Sequence, residues 1–227
     1  MPDFKFAVIF DMDGVIIDSN PFHKKAWRLF FQRHGLSISE NDFKRHVYGK
    51  INADIFSYFF RRRLTKTEVR RYNEEKESLY RKLIARHMAP ARGLVRFLEL
   101  LKKAAIPCAV ATSAPPENVG FVMGKMNIRS YFRAIVDDSQ ISRGKPNPEI
   151  YLKAAKKLCF MPEACVVFED SVAGIRAAKN AGMKVVAITT THTKRELSEA
   201  HLVISDFTQI GMEVLRSLFE LKGGERQ

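Results

Sequence analysis

Residues 5–10, Lys-Phe-Ala-Val-Ile-Phe, are apolar after the first position and stop abruptly at Asp11-Met12-Asp13-Gly14. A short run without a polar face fits a strand buried on both sides, the condition of a strand inside a parallel sheet wrapped by helices. Two carboxylates then stand at the end of that strand. Asp-x-Asp by itself is ambiguous: with Gly14 as a residue of positive φ, the acids also suit a simple turn held by side-chain hydrogen bonds.

From residue 21 to about residue 88 the rhythm becomes helical. Pro21 opens a helix with Phe22, Ala26, Leu29 and Phe30 on one face, and Gly35 closes it. Thr65-x-x-Glu68 reads as a capping box ahead of Val69, Tyr72, Leu79, Leu83 and Ile84. After a break at residues 89–93 (Ala-Pro-Ala-Arg-Gly) helix and strand alternate. Strands are expected at 107–111, 134–136, 165–168, 184–188 and 202–204, and helices at 94–103, 117–126, 172–181 and just after Asn147-Pro148. Repeated βα units predict an α/β, Rossmann-like doubly wound parallel sheet with an inserted all-helical cap domain. The boundaries expected are 1–16 and 89–227 for the core and 17–88 for the cap, with residues 223–227 a polar end.

Composition removes several alternatives. The chain has 227 residues, 46% of them hydrophobic, enough to bury a substantial core. No apolar run approaches the roughly 18 residues that span a bilayer, and the N-terminal residues do not read as a signal peptide, so the cytoplasm is the expected location and no membrane partner is expected. Cys108, Cys159 and Cys165 form no C-x-x-C pair and each lies in or beside an apolar segment; they are expected to be buried, reduced thiols. The net charge is +13, and residues 17–90 hold 17 Lys and Arg against 8 Asp and Glu. An anionic ligand suits that excess, as does a solvated surface.

In a doubly wound sheet ligands bind beyond the carboxyl ends of the strands. Asp11 and Asp13 follow the first strand, Thr112 and Ser113 the second, Lys145 lies beyond the third, and Glu169 and Asp170 follow the fourth. Paired carboxylates in differing surroundings allow a nucleophile and a general acid. Several acids at one place repel unless a divalent cation sits among them, and an all-oxygen ligand set points to Mg2+.

Asp11-Met12-Asp13-Gly14-Val15, Thr112-Ser113, Gly144-Lys145-Pro146 and Glu169-Asp170-Ser171 resemble, in order and spacing, the four signature motifs of the haloacid dehalogenase superfamily. The helical insertion, with Asp18-Ser19, His23 and Ala26-Trp27, is similar to the cap of the subgroup holding β-phosphoglucomutase, phosphoglycolate phosphatase and related sugar-phosphate phosphatases. The resemblance implies Mg2+-dependent phosphatase chemistry on a small phosphorylated metabolite. In that reading Asp11 attacks phosphorus, Asp13 serves as acid and then base, and Thr112, Ser113, Lys145 and the amides around Gly14 bind phosphoryl oxygens. Asp11, the Asp13 carbonyl and Asp170 hold the metal, with Glu169 coordinating directly or through water. Carbon–halogen cleavage is disfavoured, because Asp13 is the acid of phosphoryl-transfer members.

The cap is expected to contribute His23, Lys50, Asn52 and Lys82. A β-phosphoglucomutase carries an Arg where the run Gly49-Lys50-Ile51-Asn52 places Asn52, and a Lys where this chain has Pro115-Pro116. Hydrolysis is therefore preferred, with a phosphosugar mutase or an inorganic pyrophosphatase as the alternatives. A catalytically inactive basic binding protein is the reading from another class; the intact acids and Lys145 count against it, and no specific nucleic-acid partner is expected. A monomer is expected.

Overall fold

The computed structural model describes residues 5–48 and 50–220. Gly49 and the polar stretch 223–227 lie outside the described residues. Six parallel strands, β1 (Ala7–Phe10), β2 (Cys108–Ala111), β3 (Ala134–Val136), β4 (Cys165–Glu169), β5 (Lys184–Ile188) and β6 (Leu202–Ile204), form one sheet in the order β3-β2-β1-β4-β5-β6. β1 is flanked by β2 and β4, with Phe10 level with Val110 on one side and Phe168 on the other. The order reverses direction at β1, so the crevice between the ends of β1 and β4 is the place where such a sheet receives ligands.

Both faces of the sheet are buried, and the alternation of residues divides two cores. Val8, Phe10, Val110, Val166, Phe168 and Val186 point to one side, where they meet α5 (Leu94–Lys103), α6 (Pro116–Met126) and α9 (Met212–Glu220). Ala7, Ile9, Ala109, Val167, Val185 and Ala187 point to the other and meet α7 (Glu149–Leu158) and α8 (Val172–Asn180). Small residues on the second face let its helices approach closely, while Phe10 and Phe168 stack at 5.1 Å on the first.

Between β1 and α5 the chain is helical: α1 (Asn20–Arg33), α2 (Glu40–Asp42) continued by a π-helical turn over Phe43–Val47, α3 (Asn52–Phe59) and α4 (Lys66–Ile84). Pro21 opens α1, and Thr65 and Glu68 form the expected capping box. This insertion has its own aromatic core of Trp27, Phe30, Phe31, Phe43, Phe56 and Tyr72. Its two connections to the sheet run side by side, with Ile17 bridged to Pro90 and the Ala91 amide donating to the Ile16 carbonyl at 2.9 Å.

Three expectations need correction. On α1 the fully buried positions are Ala26, Trp27, Phe30 and Phe31, and Leu29 is only half-buried, because the stripe is rotated toward the tryptophan. On α4 Val69, Leu79 and Leu83 are half-buried, while the polar pair Lys76 and Glu77 is fully buried. Cys159 is exposed, at the left-handed C-cap of α7; only Cys108 and Cys165 are buried. Among the described residues no helix is long and apolar enough to cross a membrane.

Candidate active site

Asp11, Lys145, Glu169 and Asp170 come together at the carboxyl ends of β1 and β4. Lys145 is buried, and its Nζ lies 3.1 Å from Asp11 Oδ1 and 2.5 Å from Glu169 Oε1. Glu169 receives more donors than any other group in the site: Lys145 and the Tyr151 hydroxyl at Oε1, and the amides of Asp170 and Ser171 with the Ser171 hydroxyl at Oε2. Five donors exceed the roughly four lone-pair sites of a carboxylate. Direct ligation of a cation by Glu169 would have to displace one of them.

Charge at this edge is divided unequally. Burial raises the Asp11 carboxyl to about 7 against the lowering effect of Lys145, with Glu169 and Asp13 adding to the rise. Asp170 is pushed well above the usual carboxylate range by burial and by the neighbouring charges of Glu169 and Asp11. Burial also opposes ionisation of Glu169, but Lys145 and the hydrogen bonds just described hold it below its ordinary value.

One oxygen from each of Asp11, Glu169 and Asp170 lies within 4.8 Å of the other two. Asp11 Oδ1 is buried without a hydrogen-bond partner of good geometry despite its nearness to Lys145. An orphaned carboxylate oxygen within an all-oxygen cluster fits a hard divalent cation, which would also relieve the repulsion that raises Asp11 and Asp170.

Gly14 has φ +78°, and a Cβ there would lie 1.9 Å from Asp170 Oδ2, so both the turn and the packing require glycine. The Thr112 hydroxyl, buried after β2, accepts the Ala114 amide at 3.1 Å, and Thr112 and Ser113 line the same cleft as Asp13. Asp13 Oδ1 meets the Ser19 hydroxyl at 2.5 Å and His23 Nε2 at 3.1 Å. Burial would raise the Asp13 carboxyl, but the His23 ring, the Ser19 hydroxyl and the Lys76 ammonium hold it below the usual range.

Of the cap residues expected at the site, His23, Lys50 and Asn52 line the cleft and Lys82 does not. Lys50 Nζ donates to the Lys145 carbonyl at 3.1 Å, tying cap to core. Asn52 Nδ2 donates to Asn73 Oδ1 at 2.7 Å and to Glu77 Oε1 at 2.6 Å. Lys82 is exposed: the cleft-lining residues of α4 are Lys76 and Glu77, and the six residues from Lys76 to Lys82 turn the helix about 600°, roughly 120° from the direction of Lys76.

Lys76 is the cap cation that sequence reasoning missed. It lies 2.7 Å from His23 Nδ1, 2.9 Å from Glu77 Oε1 and 4.7 Å from the Trp27 ring centre. Glu77 Oε2 accepts from Asn118 Nδ2 of α6 at 2.6 Å, carrying the network across to the core. The available signal was the pair of charges lying between Tyr72 and Tyr80 at helical spacing. Asn20 and Thr191, both hydrogen-bonded to Asp170, were also missed, because a short polar side chain at a helix start or in a loop leaves no pattern to find. The cleft among these groups, walled by Trp27, Phe43 and Tyr48, has a volume of about 70 Å³, room for a handful of waters or one phosphoryl group.

The chain is similar in sequence and in fold to known proteins. A family model described as haloacid dehalogenase-like hydrolase matches residues 8–188. The phosphorylated carbohydrates phosphatase of Thermotoga maritima is 34% identical over 182 residues, covering 78% of this chain and 82% of that protein. The chloroplastic 5-amino-6-(5-phospho-D-ribitylamino)uracil phosphatase of Arabidopsis thaliana is 32% identical over 213 residues, 93% of this chain, which spans only 57% of that longer protein. The crystal structure of a β-phosphoglucomutase from Clostridium difficile superimposes with a TM-score of 0.84 at 28% identity, covering 96% of this chain and 98% of the other. The chain is thus matched by sequence and by shape over most of its length, and it belongs to the haloacid dehalogenase-like hydrolases.

Proposed function

We propose that the protein is a Mg2+-dependent phosphatase of a small, sugar-like phosphate ester, working through an aspartyl-phosphate. The observation that carries the reading is Asp11 beside Lys145 and Asp170, with a second, separately held carboxylate, Asp13, two residues away. The phosphatase names of the relatives support the choice of reaction.

In this reading a carboxylate oxygen of Asp11 bonds to phosphorus as the ester oxygen departs with a proton from Asp13. Asp13 then takes a proton from the water that opens the acyl phosphate, freeing inorganic phosphate and restoring Asp11. The approach of a phosphoryl dianion supplies the negative charge that raises the proton affinity of Asp13 ahead of the first step. Lys145, Thr112 and Ser113 bind the phosphoryl oxygens, where developing charge makes each such contact worth about 3 kcal/mol, whereas the Gly14 amide, expected to join them, is spent on the Ile17 carbonyl at 2.8 Å. Asp11, Asp170 and the Asp13 carbonyl would hold Mg2+, with Glu169 acting from behind through Lys145. The ion would supply charge neutralisation for nucleophile and phosphate together.

The insertion, residues 17–88, acts as a lid that excludes water when substrate is bound. Hydrolysis is preferred over phosphosugar mutation because Asn52 spends its amide donors on Asn73 and Glu77, and the Glu77 carboxylate on the same wall repels a second phosphate. A cytoplasmic, monomeric protein is part of the proposal, and its unpaired cysteines suit a reducing compartment.

The test is phosphate release from a panel of phosphorylated metabolites, pyrophosphate included, with Mg2+ and with Asp11→Asn as the control. Turnover by the wild type that vanishes in Asp11→Asn supports the reading. Near-wild-type turnover by Asp11→Asn would sink it. Glucose 6-phosphate formed from β-glucose 1-phosphate, with a bisphosphate activator, faster than free phosphate would replace it with the mutase.

A further inference from the structure

Among the described residues, the Asp170 side chain is gripped from one side only. Its Oδ2 accepts Asn20 Nδ2 at 2.9 Å and the Thr191 hydroxyl, and Asn20 Nδ2 also lies 2.5 Å from Thr191 Oγ1. A hydroxyl has a single proton to give. Donated to Asp170, it leaves the Thr191 oxygen as the acceptor for Asn20, so all three contacts are satisfied in one arrangement. The residues come from three separate stretches: the first residue of cap helix α1, the end of β4 and the loop after β5.

Neighbouring atoms reinforce this closure. The Thr190 hydroxyl donates to the Gly14 carbonyl at 2.6 Å, fixing the same loop to the turn after β1. A Cβ on Gly14 would lie 2.5 Å from Asn20 Nδ2 as well as 1.9 Å from Asp170 Oδ2, so that turn is shaped around the pair. His192, buried, places Nδ1 3.0 Å from the Asp170 carbonyl and further limits movement of the residue. All the side-chain donors among the described residues converge on Oδ2, which leaves Oδ1 as the oxygen of this carboxylate for a cation.

We propose that Asn20 and Thr191 are positioning residues that orient Asp170 toward the divalent cation, and that through Asn20 the cap takes part in cation binding. This rests on the metal site of the proposed function. A ligating carboxylate whose second oxygen is held by fixed donors loses less freedom on binding, and removal of such partners typically weakens metal affinity 10- to 100-fold. Because Asn20 opens the first cap helix, a shift of the cap that withdraws it leaves Asp170 held by Thr191 alone.

The experiment is calorimetric titration of the full chain with Mg2+ alone, without substrate, after thermal unfolding has verified that each variant is folded. Asn20→Ala and Thr191→Val should each weaken Mg2+ binding about 10-fold or more, and Thr191→Ser should restore the wild-type affinity. The double variant should be little worse than either single one, since the three side chains act as a unit. Asp170→Asn identifies the site. Loss of binding in Asp170→Asn with unchanged affinity in both Asn20→Ala and Thr191→Val overturns the positioning role alone. Wild-type binding by Asp170→Asn overturns the cation site and the proposal with it. Thr191→Val retains the side-chain shape at a half-buried position, so it reports on the hydroxyl even if Asn20→Ala unfolds.

Discussion

The ammonium nitrogen of Lys76 lies 2.7 Å from Nδ1 of His23. An ammonium only donates, so Nδ1 accepts, and the ring proton belongs on Nε2, which faces Asp13 at 3.1 Å. The cap therefore sets the tautomer of the histidine that holds the proposed acid and base. Asp13→Ala should lower kcat/KM for alkyl phosphates by about 10²- to 10⁴-fold and that for aryl phosphates much less, since a phenolate leaves without protonation. Because kcat/KM ends at expulsion of the alcohol and excludes the later base-assisted opening of the aspartyl-phosphate, its values on matched alkyl and aryl esters check this, and equal losses on both would remove the acid role.

Three helical glycines should respond to alanine with opposite signs. At Gly174 in α8 a Cβ would sit 1.7 Å from Glu169 Oε1, and Glu169 is too firmly held to yield. Gly174→Ala should destabilise the protein by about 1–3 kcal/mol. Gly120 and Gly124 in α6 have nothing within 4 Å of a built Cβ, and alanine at either should stabilise by up to about 1 kcal/mol through helix propensity. Denaturant unfolding measures all three.

The central sheet was legible because its strands are continuous apolar runs ending in polar residues. β3, β5 and β6 fall on the expected residues, and β1 and β2 differ only by losing their first positions. Asp11, Lys145 and Asp170 were legible for the same reason, since each stands just beyond a strand or in the loop following one. The cap side of the cleft was harder. Apolar periodicity treats Lys76 and Glu77 as an interruption, yet they are buried because Asn52, His23 and Asn118 satisfy them. Lys82 has the right charge on the right helix, and its position around that helix is what turns it to solvent.

Asp138, half-buried after β3, is raised from 3.8 to about 7 by burial first and then by the charges of Asp137, Glu77 and Glu117. Between those values the folded state holds a proton that the unfolded chain has released, so this group's contribution to stability falls as pH rises through the window. Asp138→Asn should raise the Tm by a few degrees at pH 8 and change it little near pH 4. Calorimetric scans at the two pH values decide it; an equal change at both would remove the carboxylate as the cause.

Cysteine labelling should divide the thiols. Burial pushes Cys108 and Cys165 up to about 12, with the Glu163 charge adding to the rise at Cys165, whereas Cys159 is exposed. A thiol reagent at pH 8 should modify one cysteine rapidly in the folded protein and all three after denaturation. Rapid loss of a second thiol in the folded state would show that one of the cores opens on that timescale.

The side-by-side pairing of Ile16 and Ile17 with Pro90 and Ala91 means that the helical insertion enters and leaves the sheet at one seam. A segment whose ends already meet imposes no span on the fold that receives it. The strand-end acids and Lys145 lie on one side of that seam, while Lys50, Asn52, Lys76 and Glu77 lie on the other. In evolutionary terms, the helical wall of the cleft can be lengthened, shortened or exchanged whole, while the strand-end acids and Lys145 stay as they are.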